Sequence, residues 1–525
     1  MAKGQYWAKI IGIKEKSNFA LGNSYSQKFD SKYNRRLAIF AAMTNQRLFH
    51  RFQIVELQID DLAFEGKGIA KIDTEQGQYI VFVPNTIPGQ MVKVKMVKVK
   101  RSFAEAKLLE VLKRSEKECP NPYHPIPGAP YITLSIEDQH FYKRKTSIDL
   151  FKRIGKLSNA EELLDEFMAS PSHFNYRNKM EYSFSAVVSD PKTGEESDGF
   201  ALGFKKRGQW LSVEKLEKDT GMFDAQLENA MPRISEFFSS QNHSAWHPKK
   251  HSGFCRFLTV RKSFKTNSLL INLVTSSSEI EKFKLEEFKN LLIDILGDRL
   301  SGFLHSINDD RGDRPNTSDG KRQLVYGSDT LIEEINGLDF KISLESFFQT
   351  NPYSAERLYN KALDYVFEKE LGQRPIVLDL FSGTGTITQL LAKRSVDKKI
   401  IGVEIVKEAV EDALKNAQMN GLSNLEFYAN DVGKFLLENP EYHGKIGTLI
   451  MDPPRAGIAP KTLRKIIRLE AERMVYISCN PATQARDMEI LAEAGYELKK
   501  YSLVDQFPHT SHVESIALFE RKLLV

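Results

Sequence analysis

A chain of 525 residues exceeds what one hydrophobic core supports, so roughly two to four domains are expected. Its apolar fraction of 41% is ordinary for globular domains, and no run approaches the ~18–20 apolar residues of a spanning helix, which excludes a helical membrane protein. A net charge of +5 is only mildly basic, and three scattered cysteines exclude a disulfide scaffold or a four-cysteine metal site and fit a reducing cytoplasm.

Residues 1–48 are polar and basic with no sustained period and are expected to be a disordered extension, with Met43 a second plausible start. Lysines interrupt the first apolar residues, unlike a signal peptide. Residues 49–114 read as short strands: VELQI alternates, FEGKGIAKI turns on two glycines, and YIVFVPNTIPGQMVKVKMVKVK runs strand, Pro-Gly turn, strand. This predicts a small all-β barrel. Lys93 and Lys95 share a face, Lys98 and Lys100 fall on the other parity, and a β-bulge at Met96 and Val97 would restore one basic face. Residues 115–139, with CPNPYHPIPGAPYITL, form a Pro-rich linker. Residues 140–340 mix a basic helical stretch with alternating strands (NYRNKMEYSFSAVV, FALGFKKRGQWL, CRFLTVRKS, SLLINLVTS), predicting a central α+β region able to face nucleic acid. From 341 to 525 the strands PIVLDLF, IIGVEI, LEFYAND, TLIMDPP, RMVYISC and SIALFER alternate with helical stretches. That alternation predicts an α/β, Rossmann-like doubly wound sheet with ligands at the carboxyl ends of its strands.

IVLDLFSGTGTITQLLA is a strand, a glycine turn and a helix, in which Gly383 and Gly385 allow close approach of a ligand. Glu404 ends the next strand, 21 residues past Gly383, where an acidic residue bonds ribose hydroxyls, and Asn430 and Asp431 end the third. Thr388 stands where a dinucleotide fingerprint has its third glycine, no Walker lysine is present, and Asp379 would repel phosphate but suit a cationic ligand bearing an amino acid. S-adenosylmethionine is therefore expected in preference to NAD. Asp452, in MDPPRAG after the fourth strand, enters the same crevice, and Arg455 stands where methyltransferases of exocyclic amines carry an aromatic.

Cys479, in YISCNP, emerges at the end of the fifth strand between polar neighbours, whereas Cys119 lies in the linker and Cys255 reads as structural. A thiolate beside a methyl donor has a specific use. Added to carbon 6 of uracil, it turns the ring into an enolate nucleophilic at carbon 5. After methylation the carbon-5 proton must leave to a base. Glu514, just before the last strand, is the candidate, with His509 and His512 as rivals.

Together FEGKGIAKI, SLESFFQTN, LDLFSGTG, GVE, MDPPRAG, ISCNPATQARD and HTSHVES give the chain its resemblance, over about 50–525, to the S-adenosylmethionine-dependent RNA 5-methyluridine (uracil-5) methyltransferases with an N-terminal TRAM barrel. The resemblance implies Cys479 as nucleophile and Glu514 as proton acceptor. It implies Gln349, Phe381, Thr386, Glu404, Asp431 and Asp452 around cofactor and target, with Asp452 and Gln349 also at the uracil edge. Arg455 would assist near the target, and Arg177, Lys179, Lys205, Lys206 and Arg207 of the central RNA-facing domain would bind phosphates. Many members hold a [4Fe–4S] cluster; here only Cys119 of its cysteines remains, so no iron–sulfur cluster and no metal is expected. The enzyme would be a cytoplasmic monomer acting on structured RNA, 23S ribosomal RNA in preference to transfer RNA because a TRAM barrel is attached. Two other classes stay open. One is a cytosine-5 methyltransferase, which lacks support because proline follows Cys479 by two. The other is a non-catalytic RNA-binding or assembly factor, which would need neither Cys479 nor Glu514.

Overall fold

The computed structural model describes residues 48–75, 77–190, 194–205, 211–315, 321–369 and 374–522. The extension expected over 1–48, except its last residue, lies outside these, as do Lys206 and Arg207. The chain divides into two units, one ending at Cys119 and one beginning at Pro120.

The N-terminal unit is a six-stranded sheet of β1 (Ile54–Gln58), β2 (Asp61–Leu62), β3 (Gly68–Thr74), β4 (Gly77–Val83), β5 (Met91–Val99) and β6 (Phe103–Lys113), in the order β1-β5-β6-β4-β3-β2. Val92, Val94 and Met96 of β5 point into a core shared with Val55, Leu57, Val81 and Ala104. The expected bulge is present: the β5–β6 register shifts between Met96 and Lys98, so Val97 is the extra residue. Lys95 and Lys98 are both exposed as a result, and Lys98 pairs with Glu105 at 2.8 Å.

In the second unit the linker is packed. The Tyr123 ring lies against Gly221, where an added Cβ would meet it at 2.8 Å, and against Phe174, 4.8 Å between ring centres. Helix Ile136–Arg153, capped by Ser135, follows and then β7 (Leu164–Met168). The central seven-stranded sheet comprises β8 (Lys179–Ser189), β9 (Glu196–Lys205), β10 (Val213–Lys215), β11 (Cys255–Lys262), β12 (Leu269–Thr275), β13 (Leu300–Ile307) and β14 (Arg322–Gly327), ordered β10-β9-β8-β11-β12-β13-β14. The hairpin β15 (Thr330–Ile335) and β16 (Leu338–Ser343) follows it.

The C-terminal, eight-stranded sheet contains β17 (Ile376–Leu380), β18 (Lys399–Glu404), β19 (Leu425–Ala429), β20 (Ile446–Met451), β21 (Arg473–Ser478), β22 (Tyr496–Val504) and β23 (Glu514–Arg521), in the order β19-β18-β17-β20-β21-β23-β22-β7. The strands from β19 to β21 are parallel, while β23 runs antiparallel to both its neighbours. Strand order reverses at β17, which β18 and β20 flank. The crevice above that reversal is where such sheets bind ligands. One feature departs from the boundary drawn at residue 140. β7 pairs with β22, and helix Ile136–Arg153 packs on helix Pro481–Glu493, so residues 136–168 are built onto the C-terminal sheet before the chain enters the central one. β7 covers an otherwise open edge of β22, which explains its place. No helix among the described residues is long and apolar enough to cross a membrane.

Candidate active site

The glycine turn after β17 is held open for a ligand. Phe381, Gly383 and Gly385 all have left-handed φ, of 65°, 54° and 75°. A Cβ at Gly383 would meet only the exposed Phe347 ring, 4.0 Å away. At Gly385 it would strike the Phe427 ring at 2.5 Å, so glycine is obligatory there. Glu404, ending β18, accepts from the Gly383 amide at 3.0 Å and the Val406 amide at 2.9 Å, which fixes its carboxylate beside the turn. Thr386 opens helix Thr386–Arg394 and is buried. Asp431 caps helix Val432–Glu438 after β19, accepting from the Lys434 amide at 3.0 Å.

Asp379 lies buried under the turn. Thr388 donates to its Oδ2 at 2.6 Å, while Oδ1 has no partner among the described residues, nor does the Ser382 hydroxyl. Burial pushes its carboxyl up to about 8, with Asp452 and Glu404 adding to the rise. Burial likewise pushes Asp452, just past β20, up to about 7. A glycine cradle, orphaned acceptors and acids short of positive charge fit a cationic adenosyl compound carrying an amino acid, as S-adenosylmethionine is. Asp379, Glu404, Asp431 and the turn's amides would hold it.

Cys479 sits in the step between β21 and helix Pro481–Glu493. Asn480 caps that helix, accepting from the Ala482 amide at 3.1 Å, and Pro481 occupies its first turn. A strand must end and a helix begin within a few residues, and the Cys-Asn-Pro order does this while leaving Cys479 only partly buried at the crevice. Across the sheet, Ser478 pairs with Ser515, so the next step in register sets Cys479 opposite Glu514. Burial pushes the Cys479 thiol up to about 12; the Glu514 and Asp452 charges add to this and Arg455 opposes it. Glu514, itself buried, is pushed up to about 8 by burial, with Asp452 adding and Arg455 opposing. These four side chains therefore share one electrostatic neighbourhood.

The loop before Glu514 is clamped by helix Ile136–Arg153. Lys143, fully buried, donates to Asp505 at 2.6 Å and to the Phe507 carbonyl at 2.9 Å. His140 reaches the other Asp505 oxygen at 3.1 Å. Gln139 accepts the His509 amide at 2.7 Å and lies 3.1 Å from His509 Nδ1. Burial drives His509 down to about 4, so its imidazole is neutral. It is a structural member of the clamp, with the Gln139 side chain on its Nδ1.

Gln349 stands before helix Pro352–Phe367, where the Asn178 side chain holds its carbonyl at 3.0 Å. Tyr359 of that helix is buried; burial, and after it the charges of Asp452, Glu514 and Asp379, raise its hydroxyl well above its ordinary range, while its hydrogen bond with Gln349 opposes them. Sequence reading missed Tyr359. It sits in the helix's apolar stripe with Ala355, Leu358 and Ala362, and only its hydroxyl could have marked it. The residues expected to bind phosphates are less uniform. Arg455 is exposed at the site. Lys179 donates to the Leu344 carbonyl at 2.6 Å, and burial and Arg261 push it down. Lys205 pairs with Asp313. Arg177 keeps a buried Nε without a partner among the described residues. Cys255 is fully buried, as read from its strand. Among the described residues no group of three or more His, Cys, Asp or Glu could hold a metal.

Fold and crevice together define an S-adenosylmethionine-dependent methyltransferase. The tRNA (uracil-5-)-methyltransferase family profile matches residues 319–522 and the TRAM domain profile residues 49–109. An RNA methyltransferase of Clostridium acetobutylicum is 35% identical over 484 residues, 91% of this chain and 100% of that one. Another, of Caldanaerobacter subterraneus, is 36% identical over 475 residues, 89% of this chain and 99% of its own. Among solved structures, the Pyrococcus abyssi tRNA (uracil-54, C5)-methyltransferase in complex with S-adenosyl-L-homocysteine is similar with a TM-score of 0.65 and 25% identity, covering 89% of this chain and 100% of that one. The chain belongs to the RNA (uracil-5) methyltransferase family and carries its TRAM domain.

Proposed function

We propose that this enzyme makes 5-methyluridine at one position of a structured RNA through a covalent adduct with Cys479. The observation that supports it best is that the Ser478–Ser515 register brings Cys479 and the buried Glu514 into one crevice, where the Glu514 charge acts on the Cys479 thiol. Cys479 Sγ adds to carbon 6 of a flipped-out uracil, and carbon 5 becomes nucleophilic. S-adenosylmethionine supplies the electrophilic methyl group to carbon 5, its sulfonium S–CH3 bond breaking to leave neutral S-adenosylhomocysteine. Glu514 then takes the carbon-5 proton, and elimination restores the Cys479 thiolate and the aromatic ring. Gln349 and Asp452 would address the uracil edge. Phe381, Thr386, Glu404 and Asp431 line the donor side. Arg455, Arg177, Lys179 and Lys205 would contact RNA, as would Arg207, which lies outside the described residues. The protein acts as a cytoplasmic monomer, and 23S ribosomal RNA is the first substrate proposed, on the strength of the TRAM domain. Transfer RNA is the second, favoured by the named activity of the Pyrococcus enzyme, which is similar over its whole length.

Mapping 5-methyluridine in total RNA from cells with and without the gene decides the substrate: a mark lost from ribosomal RNA supports the first, from transfer RNA the second, from neither overturns both. RNA containing 5-fluorouridine tests the chemistry, because that carbon cannot release its substituent. Wild type should remain covalently attached after methyl transfer and Cys479→Ala should not. An adduct with the variant would remove Cys479 from its role.

A further inference from the structure

A hollow of about 220 Å³, partly open to solvent, lies between residues 126–129 of the linker and the start of β8. The reaction above leaves it unused. Its floor is apolar: Met180, Met222 and Ala129 are buried, and the Phe204 ring forms part of the wall. Arg177 and Lys205 also line it. Lys205 is tied to Asp313, but Arg177 has its buried Nε unpartnered among the described residues. Polarizable sulfur and aromatic surfaces take the face of a base irrespective of its identity, and a guanidinium takes the phosphate beside it.

Position narrows the occupant. Asn178, next to Arg177, donates from its side chain to the Gln349 carbonyl at 3.0 Å and from its amide to the Thr350 carbonyl at 2.7 Å. On another wall Thr510 precedes Glu514 by four residues, in the loop that the Tyr176 hydroxyl grips at the Pro508 carbonyl, 2.9 Å. The hollow thus adjoins both segments that bring Gln349 and Glu514 to the target. A uridine drawn out of its stack uncovers the faces of its neighbours, which then need cover.

We propose that the hollow receives the base of a nucleotide adjacent to the target uridine in the same RNA strand, its ring against Met180, Met222 and Phe204 and its phosphate at Arg177. This deepens, and rests on, the RNA reading above. Gly128 offers a clean probe: it lines the hollow, and a Cβ there would meet nothing nearer than Ile126 Cδ1 at 4.0 Å. The substrate for the test is a short stem-loop around the mapped uridine, made with a single abasic nucleotide at each flanking position in turn. Wild type should lose about tenfold in kcat/KM at one of these positions. Gly128→Phe should lose a similar factor on intact RNA and nothing further on that abasic RNA. Insensitivity to every flanking abasic nucleotide, which needs no variant, overturns the proposal, as does wild-type kcat/KM for a folded Gly128→Phe. Failure of the RNA reading looks different: the intact stem-loop is not methylated at all, and this proposal falls with it.

Discussion

Glu514 is neutral for much of the physiological pH range, since burial and the neighbouring Asp452 push it up to about 8, yet it can take a proton only as a carboxylate. Cys479, pushed up to about 12, must likewise lose its proton to attack. The proposed reaction needs both groups in their ionised forms and both have raised values, so activity should fall as pH drops. For donor-free enzyme, kcat/KM should climb between about pH 6 and 8. With the donor's positive charge in the crevice the carboxylates ionise more readily, so kcat should level off at lower pH than kcat/KM. On the proposed roles, Glu514→Gln would remove the base without removing the nucleophile. It should cut turnover by about 10²–10⁴-fold and accumulate methylated RNA still joined to Cys479, with no fluorine needed. A denaturing gel reads this. A Glu514→Gln enzyme that releases product at the wild-type rate would hand the role to another group, of which buried, neutral His509 is the weaker candidate.

At the scale of elements, one aromatic dictates two glycines. Phe427, in β19, fills the space beside Gly385 and Gly402; an added Cβ would lie 2.5 Å from its ring at the first and 2.6 Å at the second. Gly385 also needs its φ of 75°. Gly421 has a similar φ of 66° but nothing within 4 Å of an added Cβ. The pair separates backbone strain from cradle geometry. Gly421→Ala should cost about 1 kcal/mol of stability and leave donor affinity unchanged, whereas Gly385→Ala should lose donor binding in calorimetry; equal donor affinity in both variants would mean the cradle is not shaped by Phe427. This also shows where sequence reading stops. The alternation of strands and helices, the glycine turn and the acidic strand ends were legible because each is local and periodic. The bulge in β5 was legible because two lysine pairs changed parity across Met96 and Val97. Phe427 as the reason for two glycines was not, because the contact joins residues from three different elements. Nor was the Lys143–Asp505 clamp, whose partners stand 362 residues apart. The place of β7 was hidden for the same reason: LDEFM lacks a strong alternation, and only the open edge of β22 assigns it.

Across the whole molecule, the site is built at the expense of stability, and pH exposes this. Asp379 and Glu514 stand near 8 and Asp452 near 7 in the folded chain, against about 4 in the unfolded chain. A carboxyl with a raised folded value contributes stability that is complete below about pH 4 and is lost as pH rises through its folded value. His509 and His305, driven down to about 4 by burial, act oppositely, because the unfolded chain gains protons on them below about 6.5. The two sets oppose one another between about pH 4 and 6.5. Above that only the carboxyls titrate, so the donor-free protein should melt at progressively lower temperature from about pH 6.5 to 8.5. S-adenosylmethionine prefers the ionised carboxyls and should bind more tightly as pH rises, so the melting temperature gained on adding it should grow over the same interval. Sinefungin, which carries an amine in place of the sulfonium, should reproduce the trend, whereas S-adenosylhomocysteine, lacking that charge, should show less of it. Melting curves at half-unit pH steps, with and without each compound, test the argument. A melting temperature that rises from pH 6.5 to 8.5 without ligand, or a ligand-induced gain independent of pH, would show that the buried acids of the crevice are already compensated within the protein and are not held in wait for a cation.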